Sequence, residues 1–147
     1  AMVVSPVKEY RERIDRAIND NEVCDVNPFG IAGLMAAYTQ GEEYLDALVK
    51  YLCGNLDMLK LYFAESLPEL AVMPLEGTYL AWIDIKPLGM TSEEVAAYIH
   101  EKAKVRINPG TMYGQAGEGY IRINFACPRS VLQDALERIT SVLKQIH

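Results

Sequence analysis

A single arginine on the polar face of a short strand, set behind a glycine-rich loop, is the arrangement in this sequence best suited to hold an anion. The stretch from Asn108 to Arg129 reads N-P-G-T-M-Y-G-Q-A-G-E-G-Y-I-R-I-N-F-A-C-P-R. From Tyr120 to Ala126 the pattern has a period of two, so Ile121, Ile123 and Phe125 share one face while Tyr120, Arg122 and Asn124 share the other. A guanidinium is always charged and carries a planar fork of donors, which suits two-point binding of a carboxylate or phosphate. The glycines between Pro109 and Gly119 admit close backbone approaches that a Cβ forbids, and this shapes the loop for a site. On the pattern alone, the commoner explanation for Arg122 is the solvated face of an amphipathic strand. The glycines likewise fit a tight connection between two strands.

The order P-G-x-x-Y-G-x-x-G followed by R-I-N-F-A-C-P-R resembles the end of the small domain in fold-type I pyridoxal-phosphate enzymes of the class I/II aminotransferase group. Within that group, E-G-T-Y-L-A-W-I-D-I from Glu76 to Ile85 and the A-C-P-R ending resemble the cystathionine β-lyase-like C–S lyase branch. The resemblance runs through nearly the whole chain in register. It implies that Arg122 holds the substrate α-carboxylate, that Asn124 of the same R-I-N segment shares the substrate site, and that Tyr79 of G-T-Y approaches the substrate side chain. It also implies a parent enzyme that uses pyridoxal 5'-phosphate, acts on a small amino-acid substrate and forms a homodimer. The reaction is then transamination or α,β-elimination of cystathionine or a cysteine S-conjugate. A carboxylate anchor serves both, so Arg122 does not discriminate between them.

Pyridoxal-phosphate chemistry needs a lysine that forms a Schiff base, an acid facing the pyridinium nitrogen and a phosphate cradle. Lys8, Lys50, Lys60, Lys86, Lys102, Lys104 and Lys144 all stand outside the family's lysine motif, which the resemblance places shortly before Met2. The apolar run Met2-Val3-Val4 reads as the tail of a buried strand cut at its start. Together these features lead to the expectation of a C-terminal fragment that binds no cofactor by itself, is inactive by itself, and has the rest of the parent enzyme as its partner. The alternative, from a different class, is a stand-alone, non-enzymatic carboxylate-binding or dimerisation module.

Composition narrows the partners. A chain of 147 residues suits one compact domain, which on folding buries about 68–70% of the surface of the extended chain. Half the residues are hydrophobic and 23% are charged, which argues against disorder. The net charge of -6 comes without any basic run, so nothing favours nucleic acid or an anionic membrane. Cys24, Cys53 and Cys127 lie far apart with no C-x-x-C pairing, and His100 and His147 are the only imidazoles, so the donors of a metal site are lacking. Scattered thiols fit a reducing compartment. With no leader pattern and no apolar run near 18 residues, the expected location is the cytoplasm.

The elements that must position Arg122 follow from periodicity. Ser5 as N-cap and Pro6 at the first position predict a helix over Pro6 to Asn19, and Asn27-Pro28 opens a second that Gly41 ends. In the resembled family this second helix closes the large domain near the subunit interface, so its apolar residues are expected to lack partners. Glu42 to Ser66 is the longest helix, with Leu45, Leu48, Val49, Leu52, Leu56, Leu59 and Phe63 in one stripe, Gly54 marking a bend or close packing, and Pro68 as the stop. Strands are predicted at Thr78 to Ile85 and Lys104 to Ile107. In the first of these, core packing accounts for both Tyr79 and Trp82. Thr91 and Glu94 form a capping box for a helix to about Glu101 with His100 on its surface, and Ser130 with Gln133 starts a helix to the terminus. The resulting fold class is α/β (α+β), a small mixed or antiparallel sheet covered by helices. By the resemblance, residues 1–50 are a helical remnant of the large domain plus the start of the interdomain helix, and 51–147 are the small domain.

Overall fold

A computed structural model describes residues 4–20 and 27–146. The expected strand tail at Met2-Val3, the connection over residues 21–26, Cys24 and His147 lie outside the described residues. Val4, the described end of the apolar run, is exposed rather than buried. The chain divides into two compact units, Ala1–Leu45 and Asp46–His147, with the division inside the longest helix.

The first unit is helical. α1 (Lys8–Asn19) begins two residues later than the Ser5-Pro6 signal suggests. The Ser5 hydroxyl accepts the Val7 amide at 3.2 Å, which closes a local turn and leaves extended Val7 as the cap. α2 (Pro28–Gln40) starts as expected: Asn27 accepts the Phe29 amide at 3.0 Å, proline fills the first position, and Gly41 follows the end. Phe29, Met35 and Tyr38 on α2 are exposed.

α3 (Glu42–Ser66) carries the predicted stripe, but only its later turns are covered: Leu59 and Phe63 are fully buried, whereas Leu45 and Val49 stand exposed. The sheet has three antiparallel strands in the order β1 (Leu80–Asp84), β3 (Tyr120–Asn124), β2 (Asn108–Pro109). Ala81, Ile83, Ile121 and Ile123 form its inner face, where α3, α4 (Ser92–Ala103) and α5 (Arg129–Leu143) bring Phe63, Val95, Ile99, Leu136 and Ile139 into one core. Fully burying each of these larger side chains is worth about 1.5–3 kcal/mol. Among the described residues no helix is long and apolar enough to cross a membrane.

Five expectations need correction. β1 starts at Leu80 because Thr78 takes a left-handed backbone (φ 68°), which keeps it out of the ladder. Lys104 to Ile107 is not a strand: Lys104 is the left-handed C-cap of α4, and pairing begins only at Asn108. α5 has no Ser130–Gln133 box, since Pro128 is its cap and the Pro128 carbonyl takes the Val131 and Leu132 amides, so Ser130 already lies inside the first turn. The helix stops at Leu143. Finally, core packing does not explain the two aromatics of the β1 region: Tyr79 is exposed, and Trp82 is half-buried on the open face of the sheet.

The capping box of α4 is present as expected. Glu94 accepts the Thr91 amide at 2.8 Å, and Thr91 accepts the Glu94 amide at 3.3 Å. The Thr91 backbone bond, then its hydroxyl, hold the Glu94 carboxyl below its ordinary value near 4.5. Stability from this bond is therefore fully present above pH 4.5 and is lost as the pH falls through the lowered folded value. Thr91→Ala is expected to cost about 1 kcal/mol near neutrality. In urea titrations the gap between wild type and Glu94→Ala should shrink on acidification below that window; a gap independent of pH contradicts the carboxylate's part in the box.

Candidate functional site

Arg122 sits at the centre of β3, paired in register with Trp82 of β1 on one side and Asn108 of β2 on the other. All three side chains therefore rise from the outer face. The fourth member comes from the glycine-rich loop. Gly110–Tyr113 forms a 3-10 turn, and Gly114 at φ 121° lets the chain double back so that Tyr113 lies over the sheet. The Arg122 guanidinium stacks on the Tyr113 ring, 4.1 Å from its centre. Asn108 Nδ2 donates to the Tyr113 hydroxyl at 2.7 Å, and Trp82 meets the same ring edge-on at 5.6 Å and 71°. Among the described residues Arg122 forms no ion pair. The arrangement is a half-buried, oriented cation whose donor edges are uncommitted.

The first turn of α4 holds the loop in place. Buried Ser92 Oγ accepts the amides of Gly119 at 2.9 Å and Tyr120 at 3.2 Å. Glu118 accepts the amides of Ser92 and Gly119, both at 3.0 Å, and Thr111 donates to Glu93. Gly110 and Gly117 pass so closely that a Cβ on Gly110 would lie 2.1 Å from the Gly117 carbonyl oxygen. Beside this crossing is a cleft of about 390 Å³ lined by Met73, Trp82, Tyr113, Ala116, Gly117 and Tyr120.

Asn124 lies two residues along β3 from Arg122, on the same face and exposed. Its Oδ1 accepts the Ala126 amide at 2.8 Å, so this oxygen closes a local turn at the end of the strand. Tyr79 precedes β1, 46% exposed, with its carbonyl taking the Phe125 amide at 3.1 Å. Its chain neighbour Thr78 lines a second cleft of about 300 Å³ between α3 and residues 75–78, which Tyr79 itself does not line. No ring contact or hydrogen bond joins Tyr79 to Arg122 among the described residues.

The other arginine of the motif, Arg129, is structurally committed. Its Nε donates to Asn55 Oδ1 at 3.1 Å, its amide donates to the Tyr51 hydroxyl at 2.7 Å, and its guanidinium lies 4.9 Å over the Tyr51 ring. Gly54 makes the room, since a Cβ there would meet Arg129 Nη2 at 2.6 Å. Close packing, not a bend, explains that glycine. Cys127 is no activated nucleophile, because burial pushes its thiol pKa up.

The described lysines do not fit a Schiff-base role. Lys86 Nζ lies 2.8 Å from the Tyr120 hydroxyl and 3.2 Å from Asp84, and the Tyr120 bond, then Asp84, raise its pKa above the ordinary value. That shift keeps the amine charged, the opposite of what a nucleophile requires. Lys102 is bonded to Glu101 at 2.8 Å and shifted the same way, and Lys8, Lys50, Lys60, Lys104 and Lys144 are exposed. The residues of this chain therefore do not by themselves fit pyridoxal phosphate.

Sequence reasoning missed Tyr113, Asn108, Trp82 and Ser92 as neighbours of the site. The signal for Trp82 was its phase: it alternates with the buried pair Ala81 and Ile83 and so belongs to the open face. Ser92 left no trace beyond its place next to a helix cap.

No protein-family model matches the chain. Cystathionine β-lyase PatB of Bacillus subtilis (strain 168) is 31% identical over 141 residues, covering 96% of this chain and 36% of PatB. A PLP-bound protein from Clostridium difficile 630, assigned as an aminotransferase, superposes with a TM-score of 0.91 at 38% identity, covering 95% of this chain and 36% of that one. Cystalysin from Treponema denticola, whose crystal structure contains pyridoxal 5'-phosphate, also gives 0.91, at 29% identity over 98% of this chain and 36% of its own. The chain spans about a third of the length of the relatives it matches. It belongs to the fold-type I pyridoxal-phosphate family of class I/II aminotransferases, and its relatives include the cystathionine β-lyase-like C–S lyases.

Proposed function

We propose that this chain is the substrate-carboxylate arm of a pyridoxal-phosphate-dependent C–S lyase or aminotransferase acting on α-amino acids. The observation that carries the reading is Arg122: a half-buried guanidinium, stacked on a ring and unmatched by any described carboxylate. A charge held this way binds a carboxylate with two parallel hydrogen bonds and fixes the adjoining α-carbon. The Asn124 amide reaches the same ligand from two residues along the strand, and Tyr79 borders the side chain. The whole protein acts as a homodimer, and the remaining part supplies the lysine and the cofactor cradle.

The similarity to PatB favours elimination over amino transfer. Given L-cystathionine and no 2-oxo acid, the whole protein is expected to release pyruvate, ammonia and homocysteine. Product that forms only when a 2-oxo acid acceptor is added assigns it to the transaminases instead. The 147 residues alone are expected to turn over neither substrate; turnover by the isolated chain that Arg122→Ala abolishes overturns this division of labour.

A further inference from the structure

An arginine on an open strand face samples many rotamers, and a carboxylate anchor serves chemistry at the neighbouring carbon only when its plane is set beforehand. The outer face of the sheet contains a device suited to that task. Tyr113 covers one face of the Arg122 guanidinium at 4.1 Å. Its own ring is fixed at two points, by Asn108 Nδ2 on the hydroxyl at 2.7 Å and by the edge contact with Trp82 at 5.6 Å. Asn108 and Trp82 are the two register partners of Arg122, so one rung of the sheet carries both the cation and the groups that hold its cover. The turn bearing Tyr113 ends at Gly114, whose φ of 121° other residues rarely adopt.

We infer that Tyr113 is the positioning residue of the site: tethered by Asn108, it sets the plane of the Arg122 guanidinium and restricts a carboxylate to approach along the edge of the fork. This rests on Arg122 being the carboxylate anchor. Face-on approach is blocked on the Tyr113 side, so the two oxygens align with the donors in the guanidinium plane and the α-carbon leaves in one direction. Asn108 acts through Tyr113 and not on the ligand. A phenylalanine at position 113 keeps the cover and loses the tether; a leucine loses both.

The test has two readouts. In the 147-residue chain, the Arg122 side-chain resonances should be shifted upfield by the Tyr113 ring, an effect that Tyr113→Phe retains in part and Tyr113→Leu removes. In the whole protein, Tyr113→Leu should raise KM for an α-amino acid by about 3- to 30-fold, the range a cation–ring contact commands between exposed and desolvated settings. The same variant should shrink the preference for the amino acid over its carboxamide, which a merely structural defect leaves alone. Asn108→Ala and Tyr113→Phe, which disturb packing less, should each give a smaller shift in the same direction. If Arg122→Lys weakens amino-acid binding while these three variants bind as wild type, the role of Tyr113 is overturned and the anchor stands. If Arg122→Lys has no effect on binding, anchor and positioning role fall together.

Discussion

Arg122→Ala in the whole protein is expected to raise KM for an α-amino acid at least about 30-fold, corresponding to a loss of about 2–5 kcal/mol when one partner of a desolvated, hydrogen-bonded charge pair is truncated. An exposed ion pair would lose only about 0–1 kcal/mol. The geometry favours the larger figure. Tyr113 already excludes water from one face of the guanidinium, and no described carboxylate competes for its donors. Arg122→Lys is not a conservative change here. It keeps the charge but replaces a planar fork stacked on a ring with a hydrated point charge that makes no parallel pair of bonds. Lysine should therefore recover only a minor part of the loss. Comparing KM for the amino acid and for its carboxamide isolates the effect, because only the acid gives the fork its second charged oxygen. Kinetics unchanged in both variants remove Arg122 from the site.

The alternation of β3 was legible because it is local: a period of two over five residues separates the buried isoleucines from Tyr120, Arg122 and Asn124. The α4 capping box and the Asn27-Pro28 start were legible for the same reason. What depended on distant partners was not. The neighbours of Arg122 are set by antiparallel register with Trp82, 40 residues back, and Asn108, 14 residues back, and Tyr113 reaches the guanidinium through the backbone angles of Gly114. Lys104 to Ile107 has the composition of a strand, but a left-handed helix cap at Lys104 displaced the pairing to Asn108. The pattern at Ser130 and Gln133 imitated a cap that Pro128 had already provided two residues earlier. Gly54 left a bend and close packing both open, and what decides for packing, the Arg129 guanidinium, lies far along the chain.

Asn55 lies three residues after Leu52 and four before Leu59 on the core stripe of α3, and its loss is expected to damage the fold severely. It is fully buried. Its Nδ2 donates to the carbonyls of Phe125 and Cys127, both at 3.0 Å, and its Oδ1 accepts Arg129 Nε at 3.1 Å. One side chain thus fastens the passage from β3 into α5 onto α3. Asn55→Leu keeps the volume but strands the carbonyls of Phe125 and Cys127, while exposed Arg129 can turn to water; at about 1–3 kcal/mol for each unmet group, urea titration of the chain should show a loss of about 2–6 kcal/mol. Asn55→Asp decides where that energy resides. Aspartate retains an acceptor for Arg129 but turns a negative oxygen toward two carbonyls, so it should be at least as harmful as leucine if the carbonyl bonds dominate. A well-tolerated aspartate would instead place the stabilisation in the Arg129 contact. Because Phe125 follows the Arg122-bearing strand directly, the first outcome has a second consequence: weakening Asn55 should loosen the exit of β3, and the Arg122 resonances should lose their ring shift before the chain unfolds.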